Sequence, residues 1–134
     1  MASIFVAIKN DSEALTLPND GVAILLHLDL LSSIGEDENC ERLDAFLYTP
    51  TEQIAEFLRK AGATDEQIEK ANPVVWYPAS VGTALATTYI SVLERYHTIS
   101  ETTRAAVLDE LRMFRAIFEV LERESNEWHL EMDI

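Results

Sequence analysis

The residues from Ser100 to Ile134 constrain the fold more than any other stretch, because a long amphipathic helix there runs directly into a β-strand. Apolar residues recur at steps of three and four, the spacing that lines one face of an α-helix. They are Val107, Leu108, Leu111, Phe114, Ile117, Phe118 and Leu121. The pattern predicts a core-facing helix that begins after Ser100 or Thr98 as its N-cap and stops at Asn126 in a left-handed conformation.

From Glu127 the apolar period changes to two, which indicates a half-buried strand. One side carries Trp128, Leu130, Met132 and Ile134, and the side that we expect to face solvent carries Glu127, His129, Glu131 and Asp133. A single strand cannot pair its own backbone N–H and C=O groups. The alternation of Ile4, Val6 and Ile8 at the other end of the sequence predicts a partner strand, so we expect both termini to pair in one small sheet.

The most apolar segment, Val22 to Ser33, is ambiguous between a helix and a strand. Its leucine content and length favour a buried helix that begins after Asn19 or Asp20 and is apolar on nearly every side. As a strand, it would place His27 and Asp29 on one face, whereas on a helix their directions diverge by about 160°.

Helix signals follow along the chain. Thr49 and Glu52 form a predicted capping box with Pro50 at the first helical position, and the helix is expected to end at Gly62. Its expected buried stripe is Ile54, Ala55, Phe57, Leu58 and Ala61. Thr64 and Gln67 repeat the box for a short helix that Asn72 and Pro73 end. Ser80 is a candidate cap for a further helix to about Tyr96, whose small residues from Gly82 to Thr88 allow close approach of another helix.

These patterns predict an α+β fold that is predominantly helical, with four or five helices packed on a sheet formed by the N-terminal and C-terminal strands. A third short strand is expected from Val74 to Tyr77 or from Leu43 to Tyr48. The length of 134 residues fits a single globular domain over residues 1–134, and no linker divides it.

Charge limits the classes of partner. Ten Lys and Arg against 24 Asp and Glu give a formal net charge of -14, which repels phosphate backbones and anionic lipid, so we expect neither nucleic-acid nor membrane binding. The acidic excess is larger in residues 1–67, with 13 acidic and 4 basic side chains, than in residues 68–134, with 11 and 6. A segment rich in carboxylates, with Glu36, Asp37, Glu38 and Glu41, is the candidate interaction surface.

The single cysteine, Cys40, excludes an intramolecular disulfide and a cysteine-based zinc site, and its acidic neighbours disfavour a reactive thiolate. No positively charged stretch precedes an apolar run at the start of this sequence, and no apolar run reaches the roughly 18 residues that a membrane span needs, so we expect neither a leader nor a membrane span. We therefore expect a cytoplasmic protein.

Three small constellations could carry chemistry, and each has a structural interpretation that we favour. His129 with Glu127, Glu131 and Asp133 could hold a metal on one strand face, although a solvated strand has the same composition. His27 with Asp29 could line a pocket, although a hydrogen-bonded core histidine is the simpler interpretation. Trp76 and Tyr77 could border a ligand site or mark a contact surface, although core packing is the simpler interpretation.

The sequence contains no phosphate-binding loop and no recognisable catalytic set, and it predicts no cofactor. The preferred hypothesis is a non-enzymatic acidic interaction domain, such as an inhibitor, an immunity-type protein or an adaptor, that binds a basic protein. The alternative is a small enzyme or ligand-binding protein with a pocket between sheet and helices. A homodimer through the small-residue helix or the sheet edge is a third possibility.

Overall fold

The computed structural model describes residues 2–96 and 98–133, without the side chain of Gln53. In this part of the chain the fold is α+β and mostly helical, as predicted, but it has six α-helices instead of four or five. The elements are β1 (Ser3–Ile8), α1 (Val22–Leu26), α2 (Leu28–Asp37), a 3-10 helix (Leu43–Phe46), α3 (Thr51–Lys60), α4 (Asp65–Ala71), β2 (Tyr77–Pro78), α5 (Ala79–Glu94), α6 (Glu101–Arg123) and β3 (Glu127–Asp133). None of the described helices is both long and apolar enough to cross a membrane.

The sheet has the order β1-β3-β2, so the C-terminal strand lies in the middle. β1 and β3 are antiparallel, with Ile8 opposite Trp128, which confirms the predicted pairing of the terminal strands. Both candidate regions for a third strand contribute. Tyr77 pairs with Trp128 in β2, and Leu47 forms a single parallel bridge to Leu130. Together they pair the second edge of β3.

The outer edge of β1 is covered by the loop that precedes α1. Ile4 and Gly21 exchange two backbone hydrogen bonds of 3.1 and 2.7 Å. The Asn19 side chain continues the ladder, because its Oδ1 accepts from the N–H of Val6 and its Nδ2 donates to the carbonyl of Val6, both at 2.8 Å. A side-chain amide thereby replaces a neighbouring strand and leaves these edge groups paired.

The long helix α6 begins as predicted and ends differently. The Ser100 hydroxyl caps it by accepting from the N–H of Thr103. The left-handed residue at its end is Ser125, with φ of 52°, and not Asn126. Asn126 is buried because its side chain donates to the carbonyl of Asn10 at 2.7 Å and accepts from the N–H of Asn10 at 3.2 Å. The amide that we expected to stop the helix therefore ties β3 to the end of β1.

The helix prediction for the segment after Asn19 is confirmed, but the chain forms two helices that meet at His27. The expected burial on nearly every side is wrong, since Leu26 is 76% exposed and Leu30 is 42% exposed. The start of α1 is capped from a distance by α6. The Glu110 carboxylate accepts from the backbone N–H groups of Ala23 and Ile24 at 2.9 and 2.8 Å. A carboxylate at a helix N-terminus satisfies donors that the helix itself leaves free.

The hairpin of α3 and α4 confirms one predicted cap and corrects the other. Thr64 and Gln67 form the full capping box of α4. Thr49 does not cap α3, whose N-cap is Pro50 and which has no side-chain cap bond. The carbonyl of Thr49 instead accepts from Asn72 Nδ2 at 2.8 Å, which joins the two ends of the hairpin. Phe57 and Ala61, which we expected to be buried, are exposed, Phe57 by 74%.

Helix α5 packs against α6 through its small residues, as the sequence indicates. A methyl group at Gly82 would overlap the ring of Phe118, which is buried beside Trp128 with ring centroids 4.5 Å apart. The start of the helix differs from the prediction, because α5 begins at Ala79 with Pro78 as its N-cap and Ser80 does not cap it. The small residue at position 82 is thus required for packing within the chain.

A second close approach involves Tyr89, which is fully buried and whose hydroxyl lies against Gly35 of α2. That hydroxyl donates to the carbonyl of Glu41 at 2.7 Å. Burial raises the pKa of Tyr89 to about 12, because the phenolate would be desolvated. Tyr89 therefore connects α5 to the end of α2 in its neutral form.

Gly82→Ala is expected to destabilise the protein even though alanine is the better helix former. The helix-propensity gain is about 1 kcal/mol, whereas overpacking of a fixed core costs about 1–3 kcal/mol. Ser91→Ala, at an exposed position of α5, is the control and should change the free energy of unfolding by less than about 0.5 kcal/mol. Urea denaturation measures both; a more stable Gly82→Ala protein would contradict the packing.

Tyr89 also predicts a loss of stability at alkaline pH. Its folded pKa lies above the ordinary value of 10.0, so its contribution is complete below pH 10 and is lost as the pH rises through about 12. Tyr89→Phe removes this proton linkage. Urea midpoints measured from about pH 9 to pH 12 should therefore fall more steeply for the wild type than for Tyr89→Phe. Parallel curves would show that Tyr89 ionises without penalty.

Candidate functional site

Three of the candidate residues from the sequence meet on the face of β3 that lies away from α6. His129 stacks on Trp76, with ring centroids 4.1 Å apart and planes 17° apart, and Tyr48 meets it edge-on at 4.9 Å. The side chain of His129 is 2% exposed. Glu131, two residues along the strand, has its Oε2 2.6 Å from His129 Nε2. We call Tyr48, Trp76, His129 and Glu131 the His129 cluster.

The expectation that His129 faces solvent is wrong, and the cause is long-range. The chain between α4 and β2 crosses the strand face and places Val75 and Trp76 over the imidazole. Tyr48 is held beside the imidazole because its backbone N–H donates to the carbonyl of Leu130 at 2.7 Å. Alternation along a strand assigns residues to two faces, but it does not reveal that a loop covers the second one.

Both ring nitrogens of His129 have acceptors. The carbonyl of Val75 can only accept, so Nδ1, at 3.0 Å, is the donor in that bond. The Glu131 carboxylate lies 2.6 Å from Nε2, within hydrogen-bond distance. The two contacts hold the Val75 segment and the Glu131 carboxylate against the ring of His129. With both nitrogens engaged, no ring lone pair is directed at an external ligand.

A cavity of about 330 Å³ lies beside the cluster. Tyr48, Asn72, Tyr77 and His129 contribute to its wall. Asn72 is engaged in the hairpin base, and the Tyr77 hydroxyl donates to the carbonyl of Ala45 at 3.4 Å. The cavity thus adjoins Tyr77, which the sequence proposed for a ligand site, and His129, which it proposed for a metal site.

The strand divides the four residues of the candidate metal set. His129 and Glu131 are in contact, whereas Glu127 pairs with Lys9 at 3.0 Å and Asp133 is exposed at the end of the strand. Over residues 2–96 and 98–133, no group of three or more His, Cys, Asp and Glu side chains is arranged to hold a metal ion. The pair that remains is a hydrogen-bonded histidine and carboxylate.

His27 and Asp29 belong to another part of the fold. His27 lies at the junction of α1 and α2, where its backbone ends one helix and begins the next. Asp29 is in the first turn of α2, where its negative charge suits the helix dipole. Since this segment is helical, the two side chains do not share a strand face, and neither is part of the His129 cluster.

The acidic loop, a name that we use for residues 36–41 although its first two residues form the end of α2, is partly neutralised from within. Glu36 accepts from Arg42 at 2.6 Å, and Glu38 pairs at 3.1 Å with Arg95, the C-cap of α5. Arg42 also binds Asp44 through two parallel bonds of 3.0 Å, which hold the pKa of that carboxyl below its usual range. The other two candidates in the loop, Asp37 and Glu41, are exposed and form no ion pair with the described residues.

Sequence reasoning missed Tyr48 and the carbonyl of Val75, which complete the surroundings of His129. It also missed Arg42 and Arg95 as internal partners of the acidic loop. Arg42 is close enough in sequence to Glu36 to have been proposed as its partner. Arg95 and Val75 are brought in by the tertiary fold, and the local sequence carries no signal for them.

Comparison with known proteins adds no relative, since no family model, no curated protein and no solved structure matches the chain.

The His129 cluster predicts an unequal response of two carboxylates on one strand. Glu131→Ala leaves the buried Nε2 of His129 without its acceptor and should cost about 1–3 kcal/mol of unfolding free energy. Glu127→Ala removes only the exposed pair with Lys9 and should cost less than about 1 kcal/mol. Urea denaturation at neutral pH compares the two, and equal losses would mean that Glu131 does not hold the imidazole.

Proposed function

We propose that this chain is an acidic interaction domain that binds a basic protein partner, in the manner of an inhibitor, an immunity-type protein or an adaptor. The observation that carries the proposal is the distribution of its charges. At least eight of the ten Lys and Arg side chains form an ion pair with a carboxylate of this chain. The cations are therefore locally compensated, and the excess negative charge remains on the surface.

Within the acidic loop, Asp37 and Glu41 are the carboxylates that we assign to partner binding. Both are exposed, and Arg42 and Arg95 hold their neighbours Glu36 and Glu38. An anionic surface accelerates encounter with a cationic partner and disfavours anionic competitors, and salt screens this attraction. Binding should therefore be fast and salt-sensitive.

The cavity beside the His129 cluster supports a second candidate function, the binding of a small molecule. Its wall contains Tyr77 and His129. The closed hydrogen bonding of His129 makes this the less favoured candidate, because a ligand would have to displace Val75 or Glu131 to reach a ring nitrogen. A metabolite that co-purifies with the protein would favour it.

We place the interaction in the cytoplasm, a reducing compartment, because the only cysteine of the sequence is unpaired. A homodimer is the competing assembly, and the net charge of -14 opposes it by mutual repulsion.

Asp37→Asn with Glu41→Gln is expected to slow partner association about 3- to 10-fold and to flatten its dependence on salt. The immobilised protein first captures partners from the lysate of its own source at low salt, and high salt releases them. Association rates of the captured basic protein are then measured for the wild type and the variant. Glu36 and Glu38 stay unchanged, because their substitution would release Arg42 and Arg95.

The matched control is Glu119→Gln with Glu122→Gln, which removes the same charge from exposed positions of α6. This control should keep the association rate within about twofold, since distant charges are screened. If both double variants slowed association equally, the acidic loop would contribute only through the net charge of the protein and would not be the contact site. Capture of no basic protein at low salt would contradict the proposed function.

A further inference from the structure

An apolar groove of about 350 Å³ runs between the acidic loop and helix α5. Its base is formed by side chains of the core, Phe46 at 5% exposure and Leu85 at 8%. Its α5 side carries Ala84, which is exposed, and Val81, which is 37% exposed. An exposed valine and alanine beside a depression in the core make an apolar site with room for a large side chain. We call it the α5 groove.

The opposite wall of the groove is the acidic loop itself, through Asn39, Cys40 and Glu41. This wall is held in place. Asn39 adopts a left-handed conformation with φ of 60°, and the N–H of Cys40 donates to the carbonyl of Gly35 at 2.7 Å. The bond from Tyr89 to the carbonyl of Glu41 fixes the far end.

The ion pair of Glu38 with Arg95 also joins the loop to α5, at 3.1 Å. The two walls of the groove are thereby connected by a hydrogen bond from Tyr89 of α5 and a charge pair from Arg95, the C-cap of the same helix. A binding surface that is already formed costs less ordering entropy when a partner arrives.

The charge at the rim selects the occupant. Glu41 is exposed, lines the groove and has no ion pair among the described residues. A Lys or Arg of a partner could pair with it while an adjacent apolar side chain enters the groove. A second copy of this chain would bring another strongly acidic surface to the same rim, which like-charge repulsion disfavours.

We propose that the α5 groove is the anchor site of the interaction: it takes one apolar side chain of the basic partner, flanked in that partner by Lys or Arg. This inference rests on the proposed function and locates it. The apolar anchor supplies affinity by burial, and the carboxylate at the rim supplies orientation and rate.

The test uses a defined probe, a synthetic peptide in which one leucine is flanked on each side by two lysines, titrated into the ¹⁵N-labelled protein and followed by NMR. Chemical-shift changes should concentrate on the loop from Asn39 to Glu41 and on α5 from Val81 to Thr88. Replacing the leucine of the peptide by glycine should weaken binding about fivefold or more.

Ala84→Lys places a positive charge and a longer side chain in the groove and should weaken binding of the leucine peptide about fivefold or more. Ala105→Lys makes the same substitution at an exposed position of α6 and is the control. Circular dichroism verifies that both variants are folded.

The assignment of the groove as the anchor site would be wrong if the leucine and glycine peptides bound equally well. It would also be wrong if Ala84→Lys and Ala105→Lys bound the leucine peptide equally well. If Asp37→Asn with Glu41→Gln still slowed association of the captured partner, the proposed function would stand without it. Dimerisation of the free protein that Ala84→Lys abolishes would assign the groove to a second copy and overturn the proposal. Absence of both peptide binding and a basic partner would overturn the groove and the proposed function together.

Discussion

The pairing of β3 on both of its edges is the constraint on which the rest of the structure depends. β1 occupies one edge, and β2 with the bridge from Leu47 occupies the other. The central position buries Trp128 completely, and its indole Nε1 donates to the carbonyl of Pro78 at 2.9 Å. Burial of an aromatic side chain of this size contributes more than most single residues to a small core. The sheet and the core around Trp128 therefore depend on β3, although it is the last strand in the sequence.

The same strand connects the core to both candidate sites. Trp128 packs on α6 through Phe118 and stacks on Phe46, which forms the base of the α5 groove, at a centroid distance of 5.4 Å. On the opposite face, His129 holds the segment before β2 through Val75. A change in the pairing of β3 would thus alter the groove and the His129 cluster together, because each is supported by a residue of that strand.

Local sequence patterns predicted the features that depend on neighbouring residues, and they failed for features that depend on contacts between distant parts of the chain. Helix α6 was predicted because its apolar residues repeat over many turns, and the capping box at Thr64 was predicted because it needs only a neighbouring Gln67. The burial of His129 was not, since its cover comes from residues far away in the sequence. Phe57 shows the converse error: amphipathic spacing predicts a face to be buried, but only the fold supplies what covers it.

Native-state hydrogen exchange of the backbone amides tests the central role of β3 most directly. If the strand organises the fold, its amides and those of α6 exchange only through global unfolding, with opening free energies equal to the stability measured by denaturant. The amides of α3, whose Phe57 is 74% exposed, should open locally at lower free energy. Opening of β3 at a free energy below that of α3 would contradict the account, because the core would then persist without its central strand.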